Sequence, residues 1–300
     1  FSPRVSLAYA AGENKNQNFR ASFQTGFRNP TTQDQYIGLD VGSAILVGSA
    51  PDNLDKRIEY LDRTQNVQSI SIRDAYENSF TIASGGTQAA DIDLVEPEKV
   101  TAFEVGYRGL VNTGESSRVT VDLSLYYNQY DGFIANENVL VRGTDNALKV
   151  VQVYTNSDTD ISSYGATIGL NTKIFNGFDL GFNYTYAKLD FDQASDPSFE
   201  TGFNTPENKV KIQFGKTDLF ENFGFNINAR WQDEYLWEST FVDATIEART
   251  VIDAQINYAV PSWKSVFKLG GANLTGQEYL SAPGVGAIGS QYYLSWTFNN

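Results

Sequence analysis

The sequence predicts an all-β protein, a transmembrane antiparallel β-barrel to which this chain contributes about eleven strands. Three observations predict this fold. Apolar and polar residues alternate with a period of two, which is the pattern of strands that have one apolar and one polar face. Most of these segments exceed the ~5–6 residues common in globular sheets and match the ~9–11 residues of a bilayer-crossing strand. Short and long connections also alternate, as in barrels with short periplasmic turns and long extracellular loops.

The clearest alternation occurs in residues 117–131, 177–190 and 222–232. Every second residue from Val119 to Tyr127 is apolar, and the residues between them include Asp122. The same pattern predicts the remaining strands at residues 3–10, 18–27, 99–111, 161–174, 206–216, 247–259, 264–273 and 289–298.

The order of the connections places every short turn at one end of the predicted sheet. The short turns are residues 11–17, 112–116, 175–176, 217–221 and 261–263. The long connections, predicted to be extracellular loops, are residues 28–98, 132–160, 192–205, 236–246 and 274–288. A soluble sandwich has no reason to keep this order, although a large soluble β-protein is the alternative interpretation.

The two strand faces predict different surroundings. Lipid cannot satisfy backbone polar groups, so only helices and closed sheets span it, and no apolar run approaches the ~18 residues that a membrane-spanning helix needs. We therefore expect the apolar face to contact outer-membrane lipid, with aromatic residues near the strand ends at the membrane–water boundary. The polar face should line a wet or plugged lumen through Asp122, Asn128, Asn183, Arg230, Gln232, Asp253, Gln255 and Asn257.

The longest predicted loop, residues 28–98, is too long to lack structure in a compact protein. Leu54, Ile58 and Leu61 have the spacing of one face of a short helix. A second short helix is predicted from the spacing of Ile72, Ala75, Tyr76, Ser79 and Phe80.

The composition excludes several functions. The chain has no His and no Cys, which excludes Ser-His-Asp and Cys-His nucleophiles and zinc held by His or Cys. Glycosidase chemistry needs only two carboxylates, but no acidic pair stands out, so we predict no enzyme activity and no cofactor. The net charge of −14 disfavours nucleic-acid binding. Because the chain has no Met, we expect a processed chain or the C-terminal portion of a longer one.

Two weaker motifs have simpler interpretations. Residues 284–289 match the glycine pattern of dinucleotide sites, but they follow a loop and precede a strand, whereas that motif must open a helix. The pairs Asp52/Asp55 and Asp91/Asp93 are candidate calcium ligands, but neither has the spacing of an EF-hand loop, so solvated acidic surface is favoured.

Three segments carry a resemblance to a known family. The segment FRASFQTGFRNPT at residues 19–31 resembles a strand and loop entry of TonB-dependent outer-membrane receptors. The segment EPEKVTAFEVGY at residues 96–107 resembles another strand of these receptors. The segment GANLT at residues 271–275, followed by Tyr279 and residues 292–298, is similar to their closing hairpin.

The resemblance implies that the chain is the C-terminal part of a larger barrel, since the family's barrel has about twice as many strands. It also implies a transporter that binds a ligand at the cell surface and imports it with energy from TonB. The plug and the TonB-binding box would then lie N-terminal to these residues, and we expect the sheet to close with another segment, because unpaired strand edges are not tolerated in lipid.

Aromatic residues at or beyond the outer strand ends are the candidate ligand contacts: Tyr154, Tyr235, Trp237, Phe241 and Tyr279. Packing within the loops is the alternative role of each. A passive channel and a structural outer-membrane component that holds a surface lipoprotein partner are the alternative functions. The identity of the ligand is not predicted.

Overall fold

The computed structural model describes residues 1–83, 86–90, 92–114, 118–195, 199–239 and 242–298. Its largest element is an eleven-stranded antiparallel sheet, here called the wall, and the predicted all-β barrel class is confirmed. The wall strands are β1 (Arg4–Ala11), β2 (Gln17–Arg28), β3 (Glu98–Asn112), β4 (Arg118–Asp131), β5 (Ile161–Ile174), β6 (Phe178–Asp190), β7 (Asn208–Phe220), β8 (Phe223–Gln232), β9 (Arg249–Val260), β10 (Ser265–Ala272) and β11 (Gln291–Phe298).

The wall is a meander in which each strand pairs with its neighbours in the chain. Short turns join the strands at one end, and several of them use left-handed backbone, as at Lys15, Asn176 and Lys264. The long connections leave from the other end. Strands β1 and β11 are the two outer strands of the wall, and they do not pair with each other within the described ranges.

The apolar face of the wall is open to its surroundings. Leu123, Leu125 and Tyr127 are 37, 57 and 44% exposed, and no residue from Val119 to Tyr127 is buried. A large exposed apolar surface is unfavourable in water, whereas the outer face of a membrane barrel requires one. Within the described ranges, no helix has both the length and the apolar character needed to cross a membrane.

Aromatic rings cluster on this face at the short-turn end of the strands. The ring centroids of Phe178 and Phe214 are 5.4 Å apart, and those of Phe214 and Phe225 are 5.7 Å apart. The Lys216 ammonium lies 5.0 Å from the Phe178 centroid. Rings with an adjacent lysine are typical of a membrane–water boundary, because the rings contact the apolar layer while the charge reaches water.

Two long connections fold together into a second unit. We call the described parts of residues 32–96 and 133–157 the cap. Its sheet contains Gly38–Asp40, Ile45–Val47, Phe80–Ala83, Gly86–Ala89, Ile134–Arg142 and Leu148–Asn156, and Phe199–Glu200 from a third connection pairs onto Ile134–Arg142. The cap also holds the hairpin Arg57–Leu61/Val67–Ser71, helices α1 (Thr32–Tyr36) and α2 (Ile72–Glu77), and a 3-10 turn at Pro51–Asn53.

Two further small elements lie outside the wall and the cap. The hairpin Tyr235–Trp237/Ala244–Ile246 occupies the connection between β8 and β9, and a 3-10 turn at Pro261–Trp263 joins β9 to β10.

The hydrophobic core of the described protein lies in the cap and not in the wall. Ile70, Ile72, Val151 and Val153 are fully buried there, together with the ring of Tyr76. Its other members are Ile45, Val47, Leu54, Tyr60, Ala75, Ile92, Val139 and Val141. The cap is therefore a packed unit, and the wall depends on its surroundings to cover its apolar face.

The prediction of a helix from Leu54, Ile58 and Leu61 in the first long loop is wrong. Ile58 and Leu61 lie in the strand Arg57–Leu61, which pairs with Val67–Ser71. The Asp62 carboxylate favours this hairpin, because it accepts hydrogen bonds from the backbone N–H groups of Thr64 and Asn66 and so fixes the turn. The second predicted helix is confirmed as α2, although it ends at Glu77, before Ser79 and Phe80.

An ion pair with a buried carboxylate joins the wall to the cap. Arg28 at the end of β2 lies 2.8 Å from the carboxylate of Glu98, which begins β3 and has only 8% of its side chain exposed. Arg28 also donates to the carbonyl of Ile134 at 2.9 Å, and the Ile134 N–H donates to Glu98 at 3.0 Å. Two residues of the segments that carry the family resemblance thus anchor the first residue of a cap strand.

Replacing Glu98 should loosen this junction. Glu98→Ala leaves the Ile134 N–H and the Arg28 guanidinium without their shared acceptor, at a cost of about 1–3 kcal/mol. We expect faster hydrogen exchange of the Ile134–Arg142 amides in the intact protein. Lys99→Ala is the matched control, because its ion pair with Asp131 is exposed and should contribute ~0–1 kcal/mol. Equal effects of the two substitutions would contradict the proposed role of the pair.

Candidate functional site

The second face of the wall carries most of the polar side chains of its strands. The strand register places all the predicted lumen residues on this one face: Asp122, Asn128, Asn183, Arg230, Gln232, Asp253, Gln255 and Asn257. Charged and amide side chains in this number are unfavourable in a dry core but suit a water-filled or plugged lumen.

Basic residues outnumber acidic ones on this face, although the chain as a whole has 22 basic and 36 acidic residues. Among the described strand residues, the acidic positions are Glu98, Glu104, Asp122, Asp179 and Asp253. The basic positions are Arg4, Arg20, Arg28, Arg108, Arg118, Lys173, Lys209, Lys211, Arg230, Arg249 and Lys268. The excess of carboxylates in this chain therefore lies outside the polar face.

Each acidic residue of the polar face has a basic partner. Besides the Arg28–Glu98 pair, Lys173 lies 2.7 Å from Asp179 and Arg230 lies 2.8 Å from Asp253. The other pairs are Arg20–Glu104 at 3.3 Å and the contacts of Asp122 with Arg20 and Arg108, both at 3.9 Å. The remaining basic residues of this face, which include Lys209 and Lys211, make no ion pair within 4.0 Å in the part of the chain that the structure describes.

One cleft opens beside the hairpin that follows β8. It has a volume of about 490 Å³, and Tyr235, Asp233 and Glu207 contribute to its lining. The Glu238 carboxylate, which also lines it, accepts hydrogen bonds from the Thr201 hydroxyl and the Gly202 N–H, both at 3.0 Å. These contacts join two long connections at the cleft.

A second cleft, of about 400 Å³, lies beside Arg249 and Tyr279. The Arg249 guanidinium is 4.5 Å from the centroid of the Tyr279 ring and donates to the Leu280 carbonyl at 2.6 Å. Tyr279 is also paired through its backbone with Ile288. Backbone pairing and the cation–π contact both hold this ring in place.

The predicted ligand-contact residues do not form one site. Tyr235 and Trp237 share a hairpin strand and are half-buried, but Trp237 lines neither cleft. Tyr154 lies in the cap, is 8% exposed, and its hydroxyl accepts a hydrogen bond from Gln33 at 2.8 Å. Phe241 lies outside the described residues. The ligand roles of these residues stay predictions.

Arg249 and Lys211 were not among the residues predicted from the sequence, although they belong to the charged polar face. Alternation alone marks their positions as polar, but it does not fix the register between neighbouring strands. Once the register is known, Lys211 lies directly opposite Arg230, and Arg249 lies opposite Gln232.

A partly buried carboxyl group joins a third connection to the cap. Glu200 accepts hydrogen bonds from the amides of Asn138 and Gln152. Burial raises its pKa above the ordinary 4.5, and the negative charges of Asp243 and Glu238 raise it further. Protonation of Glu200 is therefore more favourable in the folded protein than in the unfolded chain.

This raised pKa predicts a pH-dependent contact. A carboxyl group whose pKa is higher in the folded state contributes stability below its ordinary pKa, and this contribution is lost as the pH rises through the folded-state value. We expect the pairing of Phe199–Glu200 with Ile134–Arg142 to weaken as the pH rises above about 4.5. Glu200→Gln should abolish this dependence, measured by hydrogen exchange corrected for its intrinsic pH dependence. The same change at the exposed Glu247 should preserve it, and a pH dependence that survives in Glu200→Gln would contradict the assignment.

The candidate calcium pairs gain no support from their surroundings. Asp55 accepts a hydrogen bond from Arg73 at 2.5 Å, and Asp91 lies outside the described residues. No group of three or more carboxylates suited to a metal ion occurs in the described ranges.

Known proteins are similar to this chain in both sequence and structure. The family model described as "TonB dependent receptor-like, beta-barrel" matches residues 1–274. A comparison with curated proteins gave no match.

Solved structures share the fold at low sequence identity. A mutant of the ferric enterobactin receptor of Pseudomonas aeruginosa is 12% identical, with a TM-score of 0.60, over 98% of this chain and 39% of that one. A siderophore receptor of Acinetobacter baumannii is 12% identical, with a TM-score of 0.60, over 98% of this chain and 40% of that one. The copper transporter OprC is 12% identical, with a TM-score of 0.62, over 99% of this chain and 39% of that one. The chain thus spans about two fifths of the length of these structures.

Proposed function

Because this chain belongs to the TonB-dependent receptor β-barrel family of the outer membrane, we propose that it is part of an active transporter that binds a ligand at the cell surface and imports it with energy from TonB. The observation that carries the proposal is the folded cap at the long-loop end of a wall whose polar face is charged. A simple pore does not need a cap with its own core, whereas a receptor needs fixed loops that recognise a ligand. Members of this family are transporters, which agrees with a protein that is not an enzyme.

The ligand contacts that we propose lie on the long connections. Tyr235 and Tyr279 each line a cleft, and Trp237 lies on the same strand as Tyr235. Aromatic residues with a polar group are frequent anchors of binding sites, because they combine a large apolar contact with a hydrogen bond. Tyr154 is a weaker candidate, since it is 8% exposed and already bonded to Gln33. Phe241 is kept as a proposal from the sequence alone.

The proposed partners follow from the same assignment. Outer-membrane lipid covers the apolar face, and TonB contacts a segment N-terminal to this wall. A surface lipoprotein held by the long connections is the third proposed partner. The charged surface of the cap offers polar contacts for such a protein, for instance through Arg73, which pairs with Asp55 and Glu77.

Transport is tested in cells and in planar bilayers with the intact protein. Ferric enterobactin and copper, named for two of the structures compared above, are the first uptake probes. Uptake that requires both TonB and the proton-motive force would support the proposal. A steady potassium chloride current through the purified intact protein, with uptake independent of TonB, would instead establish a passive channel and overturn it.

The aromatic contacts are tested by substitution in the same uptake assay. Tyr235→Ala and Tyr279→Ala should each lower the apparent affinity for an imported ligand about 5- to 30-fold, as expected for a binding hot spot. Tyr36→Ala is the control, because this tyrosine is 45% exposed on the cap and lines neither cleft. An unchanged affinity in both cleft variants would remove these residues from the ligand site.

A further inference from the structure

Like charges lie directly opposite each other on the polar face of the wall. Lys211 on β7 is the cross-strand neighbour of Arg230 on β8. Two residue pairs further along, Lys209 is opposite Gln232, which is itself opposite Arg249 on β9. With strands ~4.8 Å apart and a rise of ~3.4 Å per residue, these basic positions lie within an area of roughly 10 by 7 Å. Like charges at such spacing repel each other.

The nearest carboxylate neutralises only one of these charges. Asp253 lies 2.8 Å from Arg230 and accepts a second hydrogen bond from the Asn273 N–H at 3.0 Å, so both of its oxygens are occupied. Arg249 is held by the Tyr279 ring and the Leu280 carbonyl, which carries no formal charge. Lys209 and Lys211 make no ion pair with the described residues. The cluster of Lys209, Lys211, Arg230 and Arg249 therefore keeps a strong net positive charge.

The cluster adjoins a cavity with hydrogen-bond donors. A cavity of about 310 Å³ is lined by Lys211 and Arg230 together with the amides of Asn183, Asn228 and Gln213. Asp253 also lines it, through the carboxylate that pairs with Arg230. Ammonium, guanidinium and amide groups donate to the same acceptors, namely carboxylate and phosphate oxygens. Two carboxylates lie near the outer end of the cluster and have partners of their own: Asp233 accepts a hydrogen bond from the Asn208 amide at 3.0 Å, and Glu207 lies 3.7 Å from Lys188.

We propose that this cluster binds an anionic oxygen group, a carboxylate or a phosphate, in the lumen. The inference rests on the proposed function, because the polar face lines a lumen only if the wall is part of a transporter barrel. It deepens that function by giving the charge of the group that the interior receives. The group belongs either to a free ligand or to an acidic side chain of another segment of the protein that lies against this face. In both cases the anion removes the repulsion between Lys211 and Arg230.

Anion binding is measured on the purified intact protein in detergent, with inorganic pyrophosphate as the probe and chloride at equal ionic strength as the reference. We expect pyrophosphate to raise the melting temperature and to bind in calorimetry. Lys211→Gln should weaken that binding at least about tenfold, and Lys211→Arg should restore it. Lys173→Gln is the matched control, since Lys173 lies on the same face but is already paired with Asp179.

The two sources of the anion give different results. Binding of pyrophosphate that depends on Lys211 identifies a site open to a free ligand. If pyrophosphate does not bind, but Lys211→Gln lowers the melting temperature and Lys211→Arg restores it, an acidic side chain of the protein occupies the cluster. If no anion binds and Lys211→Gln leaves the melting temperature unchanged or raises it, the proposal is overturned. This assay requires neither TonB nor uptake, so its failure is distinct from a failure of the transport proposal.

Discussion

Leu125→Arg should destabilise the intact protein in phospholipid bilayers by about 2–4 kcal/mol, the cost of a basic residue at the middle of the lipid face of a barrel. Leu125 lies near the centre of β4, is 57% exposed and points away from the polar face. In lipid the guanidinium loses its hydration, and no carboxylate of β4 lies on the same face near the membrane centre. The measurement is the free energy of unfolding from vesicles as a function of denaturant.

The neighbouring residue gives the control for this prediction. Ser124 is half-buried on the polar face, opposite Gly106 and Thr167, so Ser124→Arg places the same charge in a polar and hydrated environment. We expect its effect to stay within about 1 kcal/mol. Two equal losses, or a larger loss for Ser124→Arg, would contradict the assignment of the two faces and with it the membrane position of the wall.

Ile70→Ala should open the cap while the wall remains folded. Ile70 is fully buried in the cap core, and removing such a side chain typically costs 2–5 kcal/mol because a cavity remains. A loss of about 3 kcal/mol raises the population of the open cap more than about 100-fold. Pulsed proteolysis of the intact protein should therefore cleave within the cap, and spectroscopic signals from the wall should persist.

Val67→Ala is the matched substitution for this experiment, since Val67 lies in the same hairpin but is 63% exposed. We expect it to change cap opening by less than about 0.5 kcal/mol. If Ile70→Ala unfolds cap and wall together, the two units are one cooperative structure, and the separate core described above has no independent stability.

The wall was predictable from the sequence because one side of each strand contacts lipid and the other contacts water. This difference forces a strict alternation, so the bounds predicted for β4, β5 and β6 agree with the structure to within about one residue. The membership of the outer-membrane family was likewise predictable, because it depends on local segments such as residues 96–107.

The cap was not predictable in the same way. Its strand Ile45–Val47 is wholly buried, and Leu148–Asn156 has five consecutive buried residues, so period-two alternation is lost where both faces contact protein. Leu54, Ile58 and Leu61 have helical spacing, yet the turn at Asp62 and the pairing with Val67–Ser71 favour a hairpin. Tertiary contacts thus override the local pattern in the part of the chain that forms a core.

The candidate site shows a similar division. Arg230 and Asp253 were predicted to face the lumen because alternation alone fixes their side of the strand. The opposition of Lys211 and Arg230 depends on the register between β7 and β8, which no local signal specifies. Tyr154 was predicted as a ligand contact because it is aromatic, but the pairing of Ile134–Arg142 with Leu148–Asn156 places it in the cap.

The parallel pairing of Ile45–Val47 with Val151–Val153 joins residues more than a hundred positions apart, on either side of β3 and β4. No single connection therefore forms the cap. A chimera that receives residues 28–98 from this protein without residues 132–160 would separate a parallel strand from its partner. A cassette that keeps this parallel pairing must hold the continuous stretch 28–160, with both intervening membrane strands included, and it still lacks the pairing of Phe199–Glu200.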